Sequence, residues 1–185
     1  MFIQTEVTPN PSTLKFLPGR DVMGSGTANF PGPEDAARSP LAMRLFAIDG
    51  VSGVFLGQDF VTVTKMGSGD WNVLKPHILA AIMDHFTAGD AVMLEGAGGD
   101  GELADADADD EISAQIKELL ETRVRPAVAQ DGGDIIFRGF EDGIVYLHMQ
   151  GSCAGCPSST ATLKHGIENM LRYYIPDVVE VRSVD

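Results

Sequence analysis

The chain of 185 residues holds two cysteines, Cys153 and Cys156, in the run Gly151-Ser152-Cys153-Ala154-Gly155-Cys156-Pro157-Ser158-Ser159-Thr160. Two thiols at this spacing are too few for a disulfide framework, and beside a glycine turn they point to metal ligation or dithiol redox chemistry in a reducing compartment. The run lies where an alternating apolar pattern ends and a helical one begins. Unpaired N–H groups and the positive end of a helix dipole favour negative charge there, which inclines both thiols to ionise and bind metal as thiolates. Ala154 and Gly155 are small enough to let both sulfurs point to one side. Between Asp142 and Lys164 no side chain is formally charged, so no carboxylate crowds an anionic site.

Several chemistries fit this motif. Without chemistry, the cysteines are simply two small buried residues. A thioredoxin-like dithiol oxidoreductase also places Cys-x-x-Cys at a helix start, but in a larger βαβ setting than the hairpin that precedes it here. Zinc would recruit His148 and His165. By strand alternation, however, His148 shares a face with Ile144 and Tyr146, and His165 sits about a turn along the helix, so each also serves as a packed or surface residue. An iron–sulfur cluster takes four thiolates, and because one chain supplies two, two chains would have to contribute.

The elements that position the motif can be read from periodicity. Ile112, Ile116, Leu119, Leu120 and Val124 predict an amphipathic helix with Asp110 and Glu111 in its first turn, kinked or restarted at Pro126. Asp131-Gly132-Gly133-Asp134 breaks it as a tight turn whose acids solvate or cap the chain and are not ligands. Ile135 to Phe140 and Ile144 to Met149 read as strands joined by a hairpin at Glu141-Asp142-Gly143. After the cysteines, Leu163, Ile167, Met170, Leu171 and Tyr174 mark a helix face, and Val178 to Val184 a last strand.

In the other half, Phe2 to Glu6 and Thr13 to Leu17 read as strands around Thr8-Pro9-Asn10-Pro11. Ser39-Pro40 caps a helix bearing Leu41, Leu45 and Ile48. Val51 to Gly57 and Phe60 to Lys65 form a second strand pair. Leu74, Ile78, Ile82 and Phe86 predict a helix beginning near Pro76, with Trp71 to Lys75 as a lead-in turn. Trp71 and the methionines read first as core.

Hydrophobic residues make up 44% and charged residues 22%, a globular composition, and no apolar run approaches the roughly 18 residues of a membrane span. The N-terminus carries neither signal-peptide nor transit-peptide features, so the expected location is a bacterial cytoplasm, or the mitochondrial matrix for a processed form. A net charge of −14 argues against nucleic acid and anionic membranes and leaves proteins as the expected partners. Half of that charge lies in residues 91–110, which hold seven acids and no base. As a flexible linker this stretch spans roughly 25 Å. The expected fold class is α+β: two small α/β-sandwich-type domains, residues 1–90 and 111–185, joined by the acidic linker 91–110, with the order α-β-β-α-β in the second.

The motifs Arg125-Pro126, Asp131-Gly132-Gly133-Asp134, Gly151 to Ser159, Thr162-Leu163-Lys164, Gly166-Ile167-Glu168 and Ile175-Pro176 resemble the C-terminal domain of the NifU-like (Nfu) proteins. Thr8-Pro9-Asn10-Pro11, Leu14-Lys15-Phe16 and Pro18-Gly19 resemble the N-terminal domain of the mitochondrial and alpha-proteobacterial branch of that family. The resemblance implies a carrier or scaffold without enzymatic activity. It implies that Cys153 and Cys156 bind a 4Fe-4S cluster, one per homodimer, received or assembled there and passed to apo iron–sulfur client enzymes, with cluster-assembly proteins upstream. The dithiol oxidoreductase is the alternative.

Overall fold

The turn Thr8-Pro9-Asn10-Pro11 is closed by its own side chains: Thr8 Oγ1 donates to the carbonyls of Asn10 (2.8 Å) and Thr13 (2.9 Å), and Asn10 Oδ1 accepts from the Ser12 amide (3.0 Å). It joins β1 (Gln4–Val7) to β2 (Thr13–Leu17) as an antiparallel pair, with the first strand starting two residues later than expected. The computed structural model describes residues 1–96, 111–154 and 157–184, without the side chains of 157–159. It divides into two units, Met1–Glu102 and Leu103–Asp185.

In the first unit β4 (Val51–Leu56) and β5 (Val61–Lys65) pair as expected. The short β3 (Ala28–Phe30), too brief to show a period, completes an antiparallel sheet of order β1-β2-β5-β4-β3. Helix α1 (Pro40–Phe46) starts on Ser39, whose side chain accepts from the Ala42 amide, with proline at the first helical position. Leu41 and Leu45 are fully buried, and Ile48 lies beyond the helix end.

Helix α2 (Trp71–Ala88) corrects the sequence reading: it begins at Trp71, not near Pro76. Asp70 caps it by accepting from the Asn72 amide at 2.9 Å, and Trp71 Nε1 donates to the Pro11 carbonyl at 3.2 Å. Pro76 forgoes the bond to the carbonyl four residues back, a defect of about 3 kcal/mol. Complete burial of Ile78 and Ile82, at about 1.5–3 kcal/mol each, offsets it. Phe16, Phe30, Leu41, Leu45, Leu56, Ile78 and Ile82 form the core with the sheet. Val92 and Met93 also pack on it, with Ser39 Oγ donating to the Val92 carbonyl at 2.6 Å. The rest of the linker reading, residues 97–110, lies outside the described residues.

His85 on α2 is fully buried, and neither ring nitrogen has a hydrogen-bond partner among the described residues. Burial, reinforced by the Arg44 charge and opposed by Asp90, holds its pKa below the ordinary 6.5. The unfolded chain therefore binds a proton that the folded chain resists, and stability should fall as pH drops below about 6.5. Unfolding midpoints followed by Trp71 fluorescence at pH 7.5 and pH 5 should show this loss, and His85→Leu should flatten it.

In the second unit, α3 (Glu111–Leu119) runs into one wide π turn, Leu120–Val124, before α4 (Arg125–Gln130). The restart expected at Pro126 takes this form because proline cannot donate within the α ladder. Strands β6 (Gly133–Glu141) and β7 (Ile144–Gly151) make the hairpin, and its turn residues Asp142 (φ 51°) and Gly143 (φ 79°) are both left-handed, as a two-residue turn of this kind requires. Helix α5 (Pro157–Tyr174) returns the chain so that β8 (Glu180–Ser183) lies parallel to β7, giving the sheet order β6-β7-β8. The observed order is the expected α-β-β-α-β, and the fold class is α+β in two units. No helix among the described residues is long and apolar enough to cross a membrane.

Candidate metal centre

Central strand β7 ends at Gly151, whose φ of 65° bends the chain out of the sheet and into the cysteine run. Across the ladder Gly151 faces Gly133, so the cysteine turn lies against the Asp131-Gly132-Gly133-Asp134 turn. Three bonds hold the two together or shape the exit: the Ser152 amide donates to Gly132 O (3.2 Å), the Ser152 hydroxyl donates to Asp131 O, and the Ala154 amide donates to Gly151 O (3.2 Å). From α5, Thr160 Oγ1 donates to the Cys153 carbonyl at 2.8 Å.

Gly133 fits only as glycine. A Cβ there would overlap Cys153 Sγ and stand 2.9 Å from the Gln150 carbonyl oxygen and 3.1 Å from the Cys153 amide nitrogen. Since two of those neighbours are backbone, the strand end itself would have to move. Gly133→Ala should destabilise the second unit by about 1–3 kcal/mol and displace Cys153. In a Cys156→Ser background this is measurable as faster alkylation of Cys153, a residue otherwise only 6% exposed.

The structure corrects the expected ionisation of Cys153. Its sulfur is part of the core cluster with Val128, Ile135 and Met149. Burial pushes the thiol up to about 12, Asp131 and Asp134 act in the same direction, and a hydrogen bond with Ser152 opposes them. Desolvation outweighs the helix-end field, so the metal-free chain holds Cys153 as a neutral thiol. Cys156 lies outside the described residues.

Of the acids in the glycine turn, Asp131 is exposed as expected, whereas Asp134 departs from the expectation. Asp134 is 3% exposed and accepts two bonds from Arg125, Nε to Oδ1 and Nη2 to Oδ2, both at 2.8 Å, while Oδ1 also accepts from the Ile135 amide. Arg125 meets Glu121 as well, and its pKa lies above the ordinary value, mainly through Asp134. This fork fastens α4 to the start of β6, immediately behind the cysteine turn. Burying two charges is tolerable when they are bidentately paired, and removing one partner would leave an uncompensated charge. Periodicity says nothing about such a pair, because its members are nine residues apart on different elements.

The remaining sequence candidates separate. His148 donates through Nδ1 toward the Val184 carbonyl (3.1 Å), bracing the end of β8, and His165 is exposed on α5. Among the described residues no three His, Cys, Asp or Glu side chains converge as metal ligands. The unit β7-α5-β8 is a parallel crossover, so the cysteines do sit in a small βαβ setting. A reactive dithiol, though, needs an exposed sulfur of lowered pKa, and Cys153 is buried with a raised one.

Fold and site define a class: a two-unit α+β chain whose second unit sets Cys153 just past the end of β7, in the run that leads to α5. Residues 3–89 match the family model described as "Scaffold protein Nfu/NifU N terminal", and residues 116–182 match "NifU-like domain". The chain is 57% identical over 185 residues to a Homo sapiens protein named "NFU1 iron-sulfur cluster scaffold homolog, mitochondrial", with 100% of this chain and 72% of the relative covered. A relative of the same name from Drosophila virilis is 54% identical over 186 residues, with 100% and 62% covered. A solution structure of a NifU-like protein from Saccharomyces cerevisiae aligns with a TM-score of 0.46 and 29% identity, over 51% of this chain and 86% of that one. The chain belongs to the Nfu/NifU scaffold family. It spans 62–72% of the length of the two relatives named.

Proposed function

We propose that this chain is a non-catalytic iron–sulfur cluster carrier that holds a 4Fe-4S cluster between two copies through Cys153 and Cys156 of each and delivers it to apo-proteins. One observation carries the reading: Cys153, one of only two thiols in the chain, lies two residues past the end of β7, in a turn where the opposing Gly133 leaves room for its sulfur by having no side chain. Relatives named as iron–sulfur cluster scaffolds support the same chemistry. The cluster is cargo, received from upstream assembly proteins or built in place. Because Cys153 is buried, sharing a cluster with a second copy requires the turn 151–154 to open and bring its sulfur to the surface. The compartment is one that keeps thiols reduced, a bacterial cytoplasm or the mitochondrial matrix, and the relatives are named as mitochondrial.

Anaerobic reconstitution with iron and sulfide tests this directly. A cluster carrier becomes brown with broad visible absorption, whereas a dithiol oxidoreductase stays colourless and shows a measurable dithiol potential.

The proposed division into domains 1–90 and 111–185, with 91–110 as an acidic linker, has its own test. Cleavage within residues 97–108 should release two folded pieces, of which residues 109–185 keep cluster binding and residues 1 to about 87 bind no iron. Failure to reconstitute residues 109–185 alone would overturn the division.

A further inference from the structure

Strand β1 is the outer strand of the first unit's sheet, paired with β2 on one side and, among the described residues, with no strand on the other. Alternate N–H and C=O groups of such a strand point outward and can pair with another chain. Natural edges are commonly blunted by proline, a bulge or an inward-pointing charge. β1 has no proline and runs four consecutive pairs without a register shift, and its one charge, Glu6, meets Lys15 at 3.7 Å. Large apolar side chains stand unprotected at its two ends, Phe2 just before it at 80% exposure and Val7, its last residue, at 87%.

Beside this edge an open groove of about 500 Å³ is lined by residues 2–6, Lys75 and Leu79. Lys75, Leu79 and Phe86 lie at i, i+4 and i+11 on one stripe of α2, with Arg20 stacked over the Phe86 ring at 5.0 Å. Neither Lys75 nor Arg20 has an acidic partner among the described residues. Of the two charges in the groove's lining, Glu6 is engaged by Lys15 and Lys75 is uncommitted, so in a chain of net charge −14 the groove's free charge is positive and sets the sign of what it accepts.

We infer that the β1 edge and the groove beside it receive an extended, acidic segment of a partner protein as a sixth strand. Backbone bonds to Gln4–Val7 supply register, an apolar side chain rests on Leu79 and Phe2, and a carboxylate meets Lys75. A second copy suits the groove less well, because it would offer β1 itself, whose only acid is already engaged by Lys15. The inference concerns the first unit alone and does not depend on cluster binding.

The test uses the isotope-labelled full chain and the capped peptide acetyl-Thr-Val-Thr-Glu-Thr-Val-amide, which when extended places Val, Glu and Val on one face. Amide shifts should change at residues 2–7 and 75–79, with slowed hydrogen exchange in β1. Lys75→Glu, an exposed substitution that should leave folding intact, should weaken binding about fivefold and should reverse the preference toward the peptide with Lys in place of Glu. Absence of perturbation at millimolar peptide, perturbation confined to other residues, or an unchanged preference in Lys75→Glu would overturn the inference. So would concentration-dependent shifts at Gln4–Val7 without peptide, which would assign the edge to a second copy.

Discussion

Chains carrying Cys153→Ser or Cys156→Ser are expected to lose cluster retention by about tenfold or more while keeping their circular dichroism, because a hydroxyl is a poor replacement for a thiolate toward iron. At Cys153 the fold should survive for a local reason. Serine is smaller than cysteine, and the turn is held by Ser152, Gly132 and Thr160, not by the sulfur. Anaerobic reconstitution followed by iron and sulfide analysis measures the loss, and a variant with a full complement of cluster would remove both residues from the ligand set. Arg125→Gln offers a useful contrast: it leaves both thiols in place but strands the buried Asp134, so it should lower stability first and loading only as a consequence.

Loaded protein should contain four irons for every two chains. Two thiolates per chain complete a four-thiolate site only when a second copy closes it about a twofold axis. Cluster binding and association are then linked: the apo chain should be mainly monomeric at low concentration, and loading should drive it to dimer. A cluster held across a small interface loses half its ligands when the copies part, which suits release to an acceptor with thiolates of its own. Light scattering before and after reconstitution, with iron and sulfide counted per chain, measures both quantities. Four irons on a monomer would show that the other two ligands come from elsewhere and would end the bridging model.

Much of the scaffold was legible because it rests on short-range rules. Ser39-Pro40 announces a helix start, Asp142-Gly143 dictates a hairpin turn, and alternation from Ile144 to Met149 separates buried Val145, Leu147 and Met149 from their half-buried neighbours. Pro76 shows the limit of such rules. Taken alone it argues for a helix start, but the Asp70 cap, the Trp71 anchor and the burial of Ile78 and Ile82 together outweigh one missing bond.

By itself the sequence determined that the chain has two thiols, that they follow a strand and precede a helix, and that no formal charge stands near them along the chain. Those properties depend on residue type and spacing, which need no folding to be read. Only the tertiary structure decided that Cys153 is buried and neutral, that Gly133 is matched to its sulfur, that Asp134 and Arg125 brace the turn from behind, and that the edge of β1 is left open. Each of these depends on desolvation or on contact between residues distant along the chain, and both are set by what packs against what once the sheet has formed.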